Sequence, residues 1–179
     1  PMRHTSFIMA LFQVGRETLP QTFDTCLIDI TYEATEIGVV RDGVLKYSTH
    51  TSFGSFSIAR EIAAITDVPL GEAFGYLHDE KPGEFLKLLT TSHRAEVEAM
   101  LEEYIERLHQ LFMQTGDTLA IPKHITLHAD LMSEPFFAQL IEKAAKRSTK
   151  SAPVITSITK KILTDNHTEE KEHNDQKDQ

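Results

Sequence analysis

The chain has 179 residues, the size of one domain, and its 40% hydrophobic and 25% charged residues are typical of a soluble globular protein. Its formal net charge of −9 argues against a nucleic-acid partner, because phosphate contacts need clustered Lys and Arg. The sequence has no apolar run of membrane-spanning length and no signal-peptide pattern, and its one cysteine, Cys26, excludes an internal disulfide framework and a cysteine-based zinc site, so we expect a reducing, cytoplasmic setting.

The N-terminal segment predicts a helix followed by a buried strand. The chain opens with Pro1 rather than methionine, so we expect it to be part of a longer protein. Apolar residues recur at helical spacing over Ser6–Glu17, and Pro20 ends that segment. Cys26–Ile30 is short, apolar and rich in β-branched residues, which indicates a buried strand.

A β-hairpin is predicted next. Glu36–Arg41 and Val44–Ser52 flank Asp42-Gly43, a dipeptide typical of two-residue hairpin turns. The second arm alternates in polarity, as a half-exposed strand does. Together with Cys26–Ile30, these segments predict three consecutive antiparallel strands.

Four helices are expected after the hairpin. Ser55 is the expected cap of the first helix, and a shorter helix covers Pro69–Leu77. A long amphipathic helix is predicted over His93–Gln114, with Gly116 as its stop. The last begins at Ser133-Glu134-Pro135, with Ser at the N-cap and Pro in the first turn.

Two more strands and a polar tail complete the predicted order. Ile125–His128 and Val154–Thr159 are the strands, whereas Thr164–Gln179 contains no apolar residue and is predicted to be disordered. We therefore divide the chain into an N-terminal helix and linker at 1–20, one α/β unit at 21–163 and an acidic tail at 164–179.

The order of these elements is that of a ribonuclease-H-like α/β unit with a mixed sheet, and three stretches make a family resemblance sharper. Residues 29–37 read D-I-T-Y-E-A-T-E-I, which is similar in register to the phosphate loop D-I-G-G-G-T-T-E-I of actin-like ATPases. Ile125–Phe137 resembles, without gaps, the adenosine loop I-V-L-T-G-G-G-S-x-L-P-G-L of that family, and Val68–Ala73 resembles its P-L-E-E-A helix start. The chain thus resembles the second of the two halves of an actin-like ATPase, in the bacterial branch that includes the cell-division protein FtsA and the pilus-assembly protein PilM.

The resemblance implies nucleotide-binding positions, and these positions have lost their glycines. Such glycines let backbone N–H groups approach a phosphate closely. A glutamate there adds negative charge, which repels another unit charge by about 1 kcal/mol at about 4 Å in water. We therefore expect no catalytic residue and no cofactor. The matched positions are Asp29, Thr31, Tyr32, Glu33, Thr35, Ala129 and Asp130, and Leu131 stands at a further glycine position.

These departures lead us to expect a non-catalytic scaffold of bacterial cell division (FtsA-like) or type IV pilus assembly (PilM-like). The first half of the family, which carries the other phosphate loop, is not in this chain. The resemblance implies protein partners in a division or pilus complex and is compatible with a homo-oligomer. We expect a cytoplasmic protein that reaches the inner membrane through its partners, since the C-terminus shows no amphipathic anchor.

Two alternatives remain open. The first is an ATP-binding, filament-forming ATPase whose first half lies outside this chain, with Asp29 holding a magnesium-bound water. The competing interpretation is that Asp29 has a structural role and pairs with a nearby hydroxyl or backbone N–H. The second is a ribonuclease-H-like nuclease, in which Asp29 and Glu33 would bind two metal ions, although the sequence does not place Asp130 near them.

Other candidate residues have plainer interpretations. Glu36 is expected to face solvent, and Thr35 is also simply a good strand residue. His124 and His128 lie on one face of a predicted strand, but no histidine or cysteine spacing typical of a metal site occurs. We therefore expect no structural metal.

Overall fold

A mixed five-stranded sheet forms the centre of the molecule. The computed structural model describes residues 8–9, 12–13, 23–114 and 120–158. The strand order across the sheet is β3-β2-β1-β4-β5. The strands are β1 (Thr25–Ile30), β2 (Thr35–Arg41), β3 (Val44–Thr51), β4 (His124–His128) and β5 (Val154–Ser157).

The first three strands form the predicted antiparallel meander. β1 pairs with β2, and β2 pairs with β3, both antiparallel. Asp42 and Gly43 both have positive φ, 53° and 69°, as a type I′ hairpin turn requires. The carboxylate of Asp24 also accepts a hydrogen bond from the Asp42 amide at 2.7 Å. The hairpin prediction is confirmed, because the turn chemistry and the alternating pattern specify the same pairing.

Helices connect the hairpin to the parallel part of the sheet. The first begins one residue after its N-cap, Gly54, so the prediction that Ser55 is the cap is wrong. The long predicted helix is confirmed and begins two residues earlier than expected, where Thr90 Oγ1 accepts from the His93 amide at 3.2 Å. The helices are α1 (Ser55–Thr66), α2 (Leu70–Gly75), α3 (Thr91–Met113) and α4 (Glu134–Thr149), with 3-10 turns at Tyr76–His78 and Glu84–Leu88.

β4 inserts beside β1 and runs parallel to both β1 and β5. Helix α4 follows β4, with Ser133 at the predicted N-cap position. The Ser133 hydroxyl makes no capping bond and instead donates to the Asp130 carbonyl at 3.3 Å. Because β1 and β4 are parallel neighbours, the loops that follow them lie at the same edge of the sheet.

The main hydrophobic core lies between one face of the sheet and the helices α1, α3 and α4. Tyr104 and Phe137 lie at its centre, with ring centroids 6.3 Å apart. Tyr104 is buried, and this burial raises the pKa of its hydroxyl to about 12. Strand residues that point into this core include Cys26, Ile28, Ile37, Ile125 and Leu127.

The opposite face of the sheet is more polar. A small cluster of Ile8, Phe12, Leu27 and Val40 covers part of it. Beside this cluster, Thr25 Oγ1 and Thr126 Oγ1 are 2.9 Å apart. Residues 8, 9, 12 and 13 are helical, in agreement with the predicted N-terminal helix. The rest of that helix, the Gly116 stop, the end of the last predicted strand and the 164–179 tail lie outside the described residues, so the three-part division of the chain stays a prediction.

Candidate functional site

The candidate site lies where β1 and β4 end. Asp29 on β1 and His128 on β4 are direct neighbours in the parallel register. A cavity of about 360 Å³ lies beside them. It is lined by Asp29, Ile30, Thr31, Tyr32, Ser55, His128 and Asp130.

Asp29 is a buried carboxylate with an imidazole partner. Its side chain is 1% exposed, and Asp29 Oδ1 lies 2.7 Å from His128 Nδ1. The other oxygen, Oδ2, is buried and has no hydrogen-bond partner among the described residues. The expected partner, a hydroxyl or a backbone N–H, is therefore not the one found, because the parallel neighbour strand supplies a histidine at the same level.

The loop after β1 is closed on itself. The Thr31 amide donates to the Ala34 carbonyl at 2.9 Å, and Thr31 Oγ1 accepts from the Ala34 amide at 3.1 Å. These two bonds define a tight turn between β1 and β2. In the resemblance to the phosphate loop, this turn occupies the position of the glycines.

The same loop also satisfies the first amides of helix α1. The Ser55 amide donates to the Thr31 carbonyl at 3.0 Å, and the Phe56 amide donates to the Tyr32 carbonyl at 2.9 Å. The first N–H groups of a helix have no partner within the helix and are a common anion-binding feature. Here two of them are used inside the protein.

Gly54 permits this close approach of loop and helix. A Cβ atom at position 54 would lie 2.4 Å from the Thr31 carbonyl oxygen and 2.6 Å from the Tyr32 carbonyl oxygen. Its φ of −133° is ordinary extended backbone, so the requirement for glycine is one of space.

The side chains of Tyr32 and Glu33 both turn toward helical elements. The Tyr32 ring is 56% exposed and packs edge-on against Phe56, at 5.2 Å between centroids, and beside Phe74, at 6.0 Å. Both carboxylate oxygens of Glu33 accept bonds from Arg60, at 3.1 and 2.8 Å. The hydrogen bonds from Arg60 hold the pKa of Glu33 below its usual value. Tyr32 lines the cavity, whereas Glu33 does not.

The loop after β4 contributes one carboxylate to the cavity. Ala129 is 2% exposed and belongs to the main core, whereas Asp130 lines the cavity. Asp130 Oδ2 lies 3.3 Å from His78 Nε2, a distance that allows an ion pair when the histidine is protonated, although the geometry is not that of a hydrogen bond. Leu131 and Met132 follow it and are 39% and 56% exposed. The structure thus brings Asp130 to the same cavity as Asp29, which the sequence did not predict.

Two other candidate residues lie away from the cavity. Thr35 is buried, and its hydroxyl donates to the Phe53 carbonyl at 2.7 Å and lies 3.2 Å from the Tyr104 hydroxyl. Its position is explained by these structural bonds. Glu36 is half-buried, and its Oε2 accepts from the Ile8 amide at 3.4 Å, so the prediction that it faces solvent is wrong. The helical segment that contains Ile8 covers this part of the sheet.

Three contributors to the site were not predicted from the sequence: His128 and Ser55, which line the cavity, and His78, which lies beside Asp130. The sequence predicts His128 as a residue on one face of a strand and Ser55 as a helix cap. His128 and Asp29 belong to segments 99 residues apart, so only the parallel β1–β4 pairing identifies them as neighbours.

Within the described ranges, no group of three or more His, Cys, Asp and Glu side chains could hold a metal ion. Likewise, among the helices of these ranges, none has the length and apolar content needed to cross a bilayer.

Comparison with known proteins identifies the fold. The sequence matches no protein-family model and no curated protein. Among solved structures, the chain is similar to the ethanolamine utilization protein EutJ from Carboxydothermus hydrogenoformans, with a TM-score of 0.53 and 13% identity over 80% of this chain and 47% of that one. It is also similar to a chain of the PilM–PilN type IV pilus biogenesis complex, with a TM-score of 0.55 and 12% identity over 82% of this chain and 41% of that one.

A third similar structure is an apo ParM protein, with a TM-score of 0.51 and 15% identity over 76% of this chain and 36% of that one. The chain therefore spans less than half the length of each of these three structures. At such identities the likeness concerns the fold. It confirms the predicted actin-like, ribonuclease-H-like architecture.

Proposed function

We propose that this chain is a non-catalytic scaffold module, built on one half of an actin-like fold and working through protein partners. One observation carries the proposal: carbonyl groups and the acidic side chain of the turn at the phosphate-loop position are used in contacts within the protein. Its carbonyls accept from the amides of Ser55 and Phe56, and the carboxylate of Glu33 binds Arg60. A triphosphate would have to compete with these bonds.

The charges around the cavity support the same conclusion. Asp29 and Asp130 line it, and no Lys or Arg is among its lining residues. A phosphate binds best where backbone N–H groups, Lys or Arg converge on it. Two carboxylates beside a triphosphate repel it instead, and this repulsion grows as the local dielectric constant falls.

The setting we propose is a bacterial cell-division or type IV pilus assembly complex. In this setting the chain lies in the cytoplasm and reaches the inner membrane through its partners. The similar PilM–PilN structure is named as a type IV pilus biogenesis complex, which supports a role in binding another protein. A filament or other homo-oligomer is a second arrangement compatible with this fold.

Titration with a fluorescent ATP analogue and magnesium tests the proposal on this chain and on the longest natural protein that contains it. We expect no saturable binding at micromolar concentration. The double variant Tyr32→Gly/Glu33→Gly is a useful companion, because it restores two glycines of the phosphate loop. Micromolar affinity of the unmodified protein would overturn the scaffold proposal.

The ATP-binding alternative also has an observation in its favour. The amides of Tyr32 and Glu33 make no hydrogen bond among the described residues, so two loop N–H groups could meet an anion. Asp29 would then hold a magnesium-bound water. Magnesium-dependent phosphate release that is lost in Asp29→Ala would support this alternative, and absence of release from the complete protein would reject it.

The nuclease alternative has less support from the geometry. It needs carboxylates that converge on metal ions, whereas Glu33 is bound by Arg60 and Asp29 by His128. Magnesium- or manganese-dependent cleavage of an RNA–DNA hybrid by the chain would be required to revive it.

A further inference from the structure

We infer that the cavity at the ends of β1 and β4 receives a basic side chain, arginine above all, from a protein partner in which apolar residues flank that side chain. The inference rests on the proposed scaffold function and specifies the chemistry of the partner. It assigns the former nucleotide position to a cation instead of an anion.

The charges of the lining residues favour a cation. Asp29 and Asp130 carry carboxylates. A histidine lies beside each of them: His128 Nδ1 is 2.7 Å from Asp29 Oδ1, and His78 Nε2 is 3.3 Å from Asp130 Oδ2. Arg60, on the neighbouring helix α1, is occupied by the bidentate bond to Glu33. The cavity lining therefore has two carboxylates and no permanently charged Lys or Arg to neutralise them.

The unpartnered oxygen of Asp29 is a second, independent observation. A buried carboxylate oxygen without a hydrogen-bond partner is costly and uncommon in folded proteins. Asp29 is 1% exposed, its Oδ2 is without a partner among the described residues, and the residue lines the cavity. A guanidinium or ammonium group entering the cavity would stabilise this carboxylate electrostatically, while Asp130, with its side chain 42% exposed, can bind the cation directly.

The rim of the cavity suits the rest of an arginine side chain and its neighbours. Tyr32, Phe56 and Phe74 form an aromatic cluster, with Phe56 and Phe74 stacked at 5.0 Å. This cluster already accommodates one guanidinium, since Arg60 lies 5.9 Å from the Phe56 ring centroid. Tyr32 is 56% exposed and lines the cavity, so its ring can accommodate a second guanidinium. Leu131 and Met132 directly follow Asp130 in the chain and are exposed apolar residues that the flanking residues of the partner can contact.

Arginine is preferred to lysine for physical reasons. Its planar guanidinium stacks on aromatic rings and offers several donors to carboxylates, and it is more weakly hydrated than an ammonium group. These features match an aromatic side chain at the rim next to carboxylates. Inorganic cations lack the apolar stem that would pack against Tyr32.

An NMR titration with N-acetyl-argininamide tests the inference on the full chain. N-acetyl-citrullinamide, which has nearly the same shape without the charge, is the matched ligand control. We expect amide signals of residues 29–33 and 128–132 to shift with millimolar affinity for the arginine probe, and at least five-fold weaker binding of the citrulline probe. Asp130→Asn should weaken binding of the arginine probe at least five-fold. Glu98→Gln, an equal charge change at an exposed position of helix α3, should leave the affinity for this probe unchanged.

The possible results distinguish a failure of this inference from a failure of the proposed scaffold function. Equal binding of both probes, or equal effects of the Asp130 and Glu98 variants, would overturn the inference. Magnesium chloride that produces the same shifts below 1 mM would also overturn it, since the site would then be one for an inorganic cation. Micromolar ATP binding would instead overturn the scaffold proposal itself.

Discussion

Replacing Gly54 by alanine is the sharpest test of how the loop after β1 is held. The added Cβ would lie 2.4 Å from the Thr31 carbonyl oxygen and 2.6 Å from the Tyr32 carbonyl oxygen and carbon. Ordinary contacts begin near 3.4 Å, so loop and helix must separate by about 1 Å. The obstructing atoms belong to the backbone, which cannot rotate out of the way as a flexible side chain can.

The expected cost follows from the bonds that this separation weakens. The Ser55–Thr31 and Phe56–Tyr32 backbone hydrogen bonds, 3.0 and 2.9 Å long, would be lost or lengthened. Each such bond contributes about 0.5–1.5 kcal/mol, and overpacking adds about 1–3 kcal/mol. Alanine also lowers the entropy of the unfolded chain, which returns about 0.4–1 kcal/mol. We therefore expect Gly54→Ala to reduce the free energy of unfolding by about 2–4 kcal/mol.

Urea unfolding followed by circular dichroism measures this change. With a slope of about 2 kcal/mol per molar, the midpoint should fall by about 1–2 M. Gly71→Ala is the matched control, because a Cβ at Gly71 in helix α2 meets nothing within 4 Å. That variant should be neutral or stabilised by up to about 1 kcal/mol. Equal stabilities of the two variants would refute the proposed packing of loop against helix.

Three further expectations follow from buried and paired side chains. Burial raises the pKa of Cys26 to about 12, so roughly one thiol in ten thousand is ionised at pH 8. Alkylation of Cys26 by iodoacetamide should therefore require unfolding. Rapid labelling of the native chain would contradict this expectation. Tyr104→Phe should lower the free energy of unfolding, measured in urea, by about 1 kcal/mol. The variant loses the hydroxyl that lies 3.2 Å from Thr35 Oγ1, while Thr35 keeps its bond to the Phe53 carbonyl. An unchanged stability would show that the hydrogen bond between Tyr104 and Thr35 does not stabilise the fold. Arg60 lowers the pKa of Glu33, so the stability from this pair is present above the unfolded pKa near 4.5 and is lost as the pH falls through the folded pKa. In an NMR titration of Arg60→Gln, the pKa of Glu33 should return toward its usual value. An unchanged titration midpoint in this variant would contradict the ion pair.

The parts of the fold that could be predicted from the sequence are those specified by short-range chemistry. Asp42-Gly43 supplies both positive φ values of the hairpin turn, so β2 and β3 follow from neighbouring residues. The apolar stripe of α3 likewise defines that helix within one or two residues at its ends. The resemblance to actin-like ATPases then supplied the fold class, a mixed sheet flanked by helices.

The candidate site was predicted less completely, because its geometry depends on contacts between distant segments. Asp29 was recognised as a site residue, but its partner His128 lies on β4, and only the parallel pairing brings them together. The sequence predicts Ser55 as the helix cap, whereas the cap is Gly54, whose role is the space that it leaves for the Thr31 carbonyl. Glu36 alternates with apolar residues like a solvent-facing position, yet the segment around Ile8 covers it.

The pairing of β1 with β4 also has a consequence for the order in which the chain folds. Asp29 and His128 are separated by 99 residues, and closing a loop of that length costs about 4 kcal/mol of chain entropy. The meander of β1, β2 and β3 needs only short closures and can form first. Substitutions in β4, such as Thr126→Ala, should therefore accelerate unfolding more than they slow refolding, whereas substitutions at the Asp42-Gly43 turn should slow refolding. Stopped-flow chevrons in which both variants changed the refolding rate equally would show that both regions are structured together in the transition state.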